Sequence, residues 1–380
     1  MGPGPSDVHS RVYRALSTQL VGHLDPEFLA IMDNLQSMLR TVFRTENRVT
    51  IALSGTGSSG MEATIGNLVE PGEKILVCVN GVFGTRMCDV AERVGGRVVR
   101  LERAWGEVFD ASEIRQALEG DPDIRFVSIV HAETSTGALQ PLSELGDICQ
   151  EHGAYLIVDA VTSLAGLDLR VDEWKVDACY SGTQKCLSCP PGLSPVTFSD
   201  RAVEKIRGRK SKGVSWYLDL NLIDNYWTEG QRVYHHTAPI SMNYALHEAL
   251  SLVLEEGLEN RYARHASNSR SLVAGLEALG FSMLVEDESK RLPMLNSVRI
   301  PDGVPESDVR SGLLRDFNIE IGAGLGPFAG KIWRIGLMGE SSRRENVLFF
   351  LAALETVLKA LDTGVKVGAG VDAAMALYRR

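Results

Sequence analysis

The chain reads as an α/β protein, with a large domain on a mainly parallel sheet followed by a smaller α+β domain. Three observations carry that prediction. Apolar runs, VTIAL (49–53), KILVCV (74–79), RFVSIV (125–130) and AYLIVD (154–159), recur between stretches with helical spacing. That is the pattern of strands buried on both faces and joined by crossover helices. At 380 residues and 44% hydrophobic content, the chain exceeds one compact unit and can fill a large core. Beyond residue 240 its character changes, because residues 242–279 form one long helical pattern, charged on one side and apolar on the other, that bridges into a second domain. The expected organisation is an N-terminal segment (1–20), a large domain (21–245) and a C-terminal domain (246–380).

Between the strand-like runs, residues 60–68 and 142–151 carry apolar residues at helical spacing, and the Pro71–Gly72 pair marks a stop. The second domain is predicted to hold strands at LNSVRI (295–300), IEIGAG (319–324) and KIWRIGL (331–337), with a closing helix over 344–361. The last fifteen or so residues, rich in Gly, Ala and Val, read as an appended helix outside the core.

A net charge of −10 and a pI near 5.4 exclude nucleic acid or an anionic membrane as the main partner, which leaves a small solute. No stretch approaches the roughly 20 apolar residues of a membrane helix, and the N-terminus MGPGPSDVHSR has no signal-peptide pattern, so a cytoplasmic protein is expected. The six cysteines are too sparse for a disulfide framework and are expected to be reduced. Cys186 and Cys189 form a CxxC without a second ligand pair, so no metal is expected.

Three motifs carry chemistry. SGTGSSGMEA (54–63) lies between a predicted strand and a predicted helix, where small residues admit an anion to the helix N-terminus. LIVDAVTSLAG (156–166) brings Asp159 out at the C-terminal end of a strand, the place where open α/β sheets bind ligands. YSGTQKCLSCPPG (180–192) sets Lys185 among small and polar residues, where partial desolvation would lower its pKa and make it a nucleophilic amine. Each has an ordinary alternative: a tight turn, a helix cap and a solvated lysine. Together, in this order, they match what pyridoxal 5′-phosphate (PLP) requires: an anion cup, an acid for its ring nitrogen and an amine for its aldehyde.

The runs GPGPS, SGTGSSGMEA, VNGVFGTR, HAETSTG, VDAVTSL, SGTQKCLSCPPG, VYHHTAPIS and GKIWRIGLMG, in that order over nearly the whole chain, resemble the class V aminotransferases, in particular the alanine–glyoxylate/serine–pyruvate group. The resemblance implies the PLP-dependent transferase type I fold. It makes Lys185 the lysine that tethers PLP as a Schiff base and then moves the substrate proton, and pairs Asp159 with the ring nitrogen. Gly57 and Ser58 amides and the Gln184 side chain would hold the phosphate, with Tyr234 and Thr237 supplied by the second subunit of a homodimer. Phe83 would stack on the cofactor face, Thr134 would sit near its ring, and Arg334 would grip the substrate carboxylate through a planar two-bond pair.

The implied reaction moves an amino group from a small L-amino acid, alanine or serine, to glyoxylate, giving glycine and pyruvate or hydroxypyruvate. The C-terminal half also resembles ureidoglycine–glyoxylate aminotransferases. Those carry Gln and Asn where this chain has His23 and Tyr234, so a ureido group would lack its partners and that reading ranks second. His23 is accordingly expected at the substrate. A class V lyase ranks lower still, because desulfurases need a cysteine in the small domain and this chain has none after Cys189. His235 and His236 are expected to pack at the dimer seam, and His131 is left without a role.

Overall fold

A computed structural model describes residues 1–228 and 232–379. After the helices α1 (Ser10–Leu16) and α2 (Pro26–Phe43), the chain lays down β1 (Val49–Ser54), β2 (Lys74–Val79), β3 (Arg97–Glu102) and β4 (Ile124–Val130). A short hairpin, β5 (Ala132–Glu133) with β6 (Ala138–Leu139), follows, and then β7 (Tyr155–Asp159), β8 (Ala178–Tyr180) and β9 (Leu193–Phe198). Seven of these strands make one sheet in the order β1-β9-β8-β7-β4-β2-β3. The pairs β3/β2, β2/β4, β4/β7 and β7/β8 are parallel, while β9 runs antiparallel to β8 and β1. Ile75, Leu76, Val77, Val127, Leu156 and Ile157 are at most 1% exposed, as expected of strands covered on both faces. Each such side chain contributes about 1.5–3 kcal/mol of burial.

The crossovers are α3 (Gly57–Leu68), α4 (Val82–Arg93), α5 (Ala111–Gly120) and α6 (Leu145–Glu151). Two helices, α7 (Asp200–Arg207) and α8 (Leu220–Trp227), follow the sheet. The long helical pattern after residue 240 is a correction: it is two helices, α9 (Ile240–Glu256) and α10 (Leu258–Ala278), parted at Gly257 with φ 82°. That backbone angle suits glycine and ends the α-helix there.

The second sheet is antiparallel, β10 (Ser282–Met283), β11 (Leu295–Arg299), β13 (Ile332–Gly336) and β12 (Gly322–Ala323), paired in that order. The expected strand 319–324 shrinks to Gly322–Ala323. The helices α11 (Glu306–Phe317) and α12 (Arg344–Ala360) cover this sheet, burying Trp333 and Ile335 with Leu313, Phe350 and Leu354.

The chain ends in α13 (Ala369–Tyr378), which corrects the expectation of a helix outside the core. Ala374 is fully buried in the second apolar cluster. The Glu355 carboxylate, 2% exposed, accepts from the Gly368 and Gly370 N–H groups at 2.7 and 2.8 Å, and so caps the helix it receives. Tyr378 Oη donates to Asn268 Oδ1 at 2.7 Å.

The N-terminus joins the two sheets. Gly336 N–H donates to the Met1 carbonyl at 2.8 Å, Ser6 N–H donates to the Gln184 carbonyl at 2.8 Å, and Asp7 N–H donates to Ser341 Oγ at 2.9 Å.

Candidate active site

The C-terminal ends of the parallel strands bring the three motifs together. β1 ends at Ser54, and Gly55 takes φ 131°, a conformation L side chains rarely adopt, to turn the chain into α3. Thr56, the N-cap, makes no side-chain cap bond, so the first turn at Gly57 and Ser58 offers its N–H groups without a capping side chain. A Cβ on Gly57 would lie 3.1 Å from Val161 Cγ2 and 3.5 Å from Gly182 Cα. This one glycine therefore packs against the residues that follow Asp159 and precede Lys185.

Asp159 ends β7, 3% exposed. Its Oδ1 accepts from Val161 N–H and its Oδ2 from Tyr180 Oη, both at 2.8 Å. Burial pushes its carboxyl up to about 7, with the Glu133 charge adding and the two hydrogen bonds and Lys185 opposing. The carboxyl is thus poised near neutrality, able to share or hold a proton.

Lys185 lies in the loop after β8, and its Nζ donates to the Pro3 carbonyl. Ser6 Oγ donates to the Lys185 carbonyl at 2.8 Å and pins the loop. Burial pulls the Lys185 amine down to about 8; Arg334 lowers it further, while Cys186 and Asp159 pull it up. An ordinary lysine titrates near 10.4, so this amine is neutral, and nucleophilic, much closer to neutral pH. Beside it, Gln184 Oε1 is buried without a hydrogen-bond partner. A buried amide oxygen with an unmet bond can accept from a hydrogen-bond donor.

A second group gathers around the HAETSTG loop. Arg334, in β13, donates from Nε to the Ala323 carbonyl at 2.8 Å and from Nη1 to the Thr134 carbonyl at 3.1 Å. Burial draws its guanidinium below the usual range, with Glu133 opposing. Thr134 is 2% exposed. Phe83 is the second residue of α4, and the Arg86 guanidinium carbon stands 5.1 Å from its ring centroid. Its N–H donates to Glu133 Oε2 at 3.1 Å. Glu133 itself escaped sequence reasoning, although a carboxylate among small residues at a strand end is the signal that picked out Asp159.

Tyr234, Thr237 and His23 form a separate cluster. Tyr234 is 54% exposed, its Oη is 3.5 Å from Thr237 Oγ1, and its ring is 5.0 Å from that of His23. Tyr226 Oη donates to the His23 carbonyl at 2.8 Å. One link returns to the loop: His236 Nε2 is 2.9 Å from Ser54 Oγ. His131, also without an assigned role, is buried with Nδ1 unpartnered, and burial lowers it to about 4. Among the described residues no cluster of His, Cys, Asp or Glu could hold a metal, and no helix is long and apolar enough to cross a membrane.

The family model described as aminotransferase class-V matches residues 7–331. This chain belongs to the class V aminotransferases. Among relatives of this aminotransferase is the (S)-ureidoglycine–glyoxylate transaminase of Bacillus subtilis, 43% identical over 100% of this chain and 94% of that one. The crystal structure of that ureidoglycine–glyoxylate aminotransferase matches with a TM-score of 0.97. An alanine–glyoxylate aminotransferase structure from Nostoc sp. is 52% identical, covers 94% of each chain and has a TM-score of 0.92. Alanine–glyoxylate aminotransferase of Drosophila melanogaster is 40% identical over 96% of this chain and 93% of its own. A cysteine desulfurase from Thermococcus onnurineus, 18% identical with a TM-score of 0.73, shares the fold alone.

Proposed function

We propose that this aminotransferase uses PLP, held by Lys185, to move an amino group from alanine or serine to glyoxylate. The observation that carries the reading is the meeting at Gly57 of the anion-binding helix start, the Asp159 turn and the Lys185 loop. The residues fit the cofactor: uncapped amides at Gly57 and Ser58 suit its phosphate, to which the Gln184 side chain can also turn its NH2, and Asp159 suits its ring nitrogen. When bound, PLP supplies an aldehyde that takes up amino groups and a ring that withdraws electrons.

The chain's own residues do the rest. Lys185, at about 8, is neutral often enough to attack an aldehyde and then to take and return a proton as general base and acid. Asp159, pushed to about 7 and held by Tyr180 Oη and Val161 N–H, can keep a proton on a partner nitrogen without relinquishing its orientation. Phe83 offers an aromatic face and Thr134 a hydroxyl, while Arg334 turns a fixed guanidinium to a substrate carboxylate.

Tyr234 and Thr237 complete the phosphate cup of a second copy in a homodimer. Supporting this, Trp216, Tyr217, Val233 and Tyr234 expose 63%, 43%, 56% and 54% of their surface, an apolar patch that a partner would cover. His23 then faces the partner's substrate. We assign the PLP-binding domain to residues 21–245 and the small domain to 246–380, with 1–20 as a joining segment. Two apolar clusters support two units, although the first takes in Leu246, Leu250 and Val253 of α9 and Leu258 just after it, and the second begins at Leu272. Six buried free cysteines fit a cytoplasmic setting.

A second reading, ureidoglycine as donor, is favoured by the full-length likeness to the Bacillus subtilis enzyme. Against it, the adjoining rings of His23 and Tyr234 stand where a ureido group would want amides. The test is a half-reaction: holoprotein mixed with alanine, serine or ureidoglycine, watching the visible cofactor band bleach, then glyoxylate, pyruvate or 2-oxoglutarate to restore it. Bleaching by alanine or serine and recovery with glyoxylate is expected; a response to ureidoglycine alone overturns the proposal.

A further inference from the structure

The Glu133 carboxylate is fully buried, and both of its oxygens accept hydrogen bonds. Its Oε2 accepts from Phe83 N–H at 3.1 Å. Its Oε1 accepts from Ser135 N–H at 3.0 Å and from Ser135 Oγ at 2.5 Å. Ser135 Oγ accepts in turn from Val82 N–H at 3.1 Å. The first two amides of α4 are therefore tied to the HAETSTG loop, one directly and one through the serine. The next residue, Thr134, gives its carbonyl to Arg334 Nη1. Two consecutive residues thus hold the aromatic on α4 and the arginine on β13.

Space confirms how closely the tie is built. A Cβ on Gly81 would collide with the Glu133 carboxyl carbon and stand 2.6 Å from Ser135 Oγ, and one on Gly84 would lie 2.7 Å from the Cys78 carbonyl. The GVFG turn is clamped between the loop and the edge of β2, so Phe83 has little freedom to find another position.

We infer that Glu133 is a positioning residue that, with Thr134, holds Phe83 and Arg334 as one unit, so that cofactor retention and grip on the substrate carboxylate are coupled. This rests on the roles given above to Phe83 and Arg334. A carboxylate is needed because both of its oxygens face donors; an amide of the same shape turns its NH2 against one set of them, leaving a buried clash of donors.

The test uses holoprotein. Glu133→Gln should speed PLP dissociation, followed by loss of the visible band on dilution, about tenfold, and raise KM for the amino donor several-fold while kcat falls less. Ser135→Ala, a milder cut, should move both readouts in the same direction and keeps the question open to test if Glu133→Gln folds poorly. As controls, Phe83→Leu should change PLP dissociation alone and Arg334→Lys should change KM alone; if neither does, the site reading fails and the inference falls with it. Given working controls, the double variant Glu133→Gln/Phe83→Leu should lose PLP less quickly than the product of the single effects. Full multiplication of the two effects overturns the coupling. So does a lower melting temperature in Glu133→Gln and Ser135→Ala with PLP dissociation and KM unmoved, which is the mark of a merely structural residue.

Discussion

Lys185 and Tyr234 are both site residues by sequence, yet their surroundings are opposite. Lys185 is enclosed by its own chain, with Pro3, Ser6 and Gln184 around it and its amine drawn to about 8. Tyr234 is 54% exposed, with its hydroxyl 3.5 Å from Thr237 Oγ1 and its ring 5.0 Å from that of His23. The contrast separates what one chain can build from what it offers to another. The Lys185 amine is shifted mainly by desolvation, which packing inside its own fold supplies. In the proposed homodimer, an exposed aromatic beside other exposed apolar side chains would gain its surroundings by association.

The sharpest way to break this contrast is to disable each side and then mix the two. Lys185→Ala should lower kcat by about 10³ or more, because both tether and proton carrier are lost, while far-ultraviolet circular dichroism stays unchanged. Mixed with Tyr234→Ala chains and allowed to exchange subunits, it should regain about a quarter of wild-type activity, since about half the dimers are mixed and each has one intact site. No recovery would place Tyr234 in the site of its own chain.

A smaller effect comes from pH. Capture of PLP by cofactor-free protein needs the neutral amine, so its rate should rise with pH through about 8 and level off above that, where an ordinary lysine would keep climbing toward 10.4. Arg334→Gln removes a nearby positive charge that lowers the Lys185 pKa, and the midpoint should move upward. Stopped-flow absorbance across pH checks both.

The mildest effect on the site is expected at the far end of the molecule. Removing residues 369–380 uncovers the seat of Ala374 and takes the Gly370 and Val371 N–H groups from Glu355 Oε1, leaving it only Gly368, which should cost about 1–3 kcal/mol in urea unfolding. PLP capture should be unchanged, because the helix packs on α10 and α12.

Much of the fold was legible because parallel strands announce themselves as apolar runs, and β2 and β7 match their predicted limits to within a residue. The three motifs were legible because small residues, a strand-end carboxylate and a lysine in a non-solvated setting are local signals. What escaped depends on distant partners. Gly257 lies inside the helical pattern of residues 242–279, and the roughly 1 kcal/mol cost of one glycine is too small to end a pattern. The N-terminal GPGPS run touches Lys185 across most of the large domain's sequence, and Glu133 acts through α4, fifty residues earlier. Docking of α13 follows from Glu355, a charged residue in a helix whose burial no periodicity reveals.

The central claim is the tether. Borohydride reduction of the holoprotein, digestion and mass mapping of the modified peptide should place the PLP adduct on the peptide containing Lys185, with no adduct in Lys185→Ala. An adduct on another lysine in the native protein, or none at all, would contradict the account.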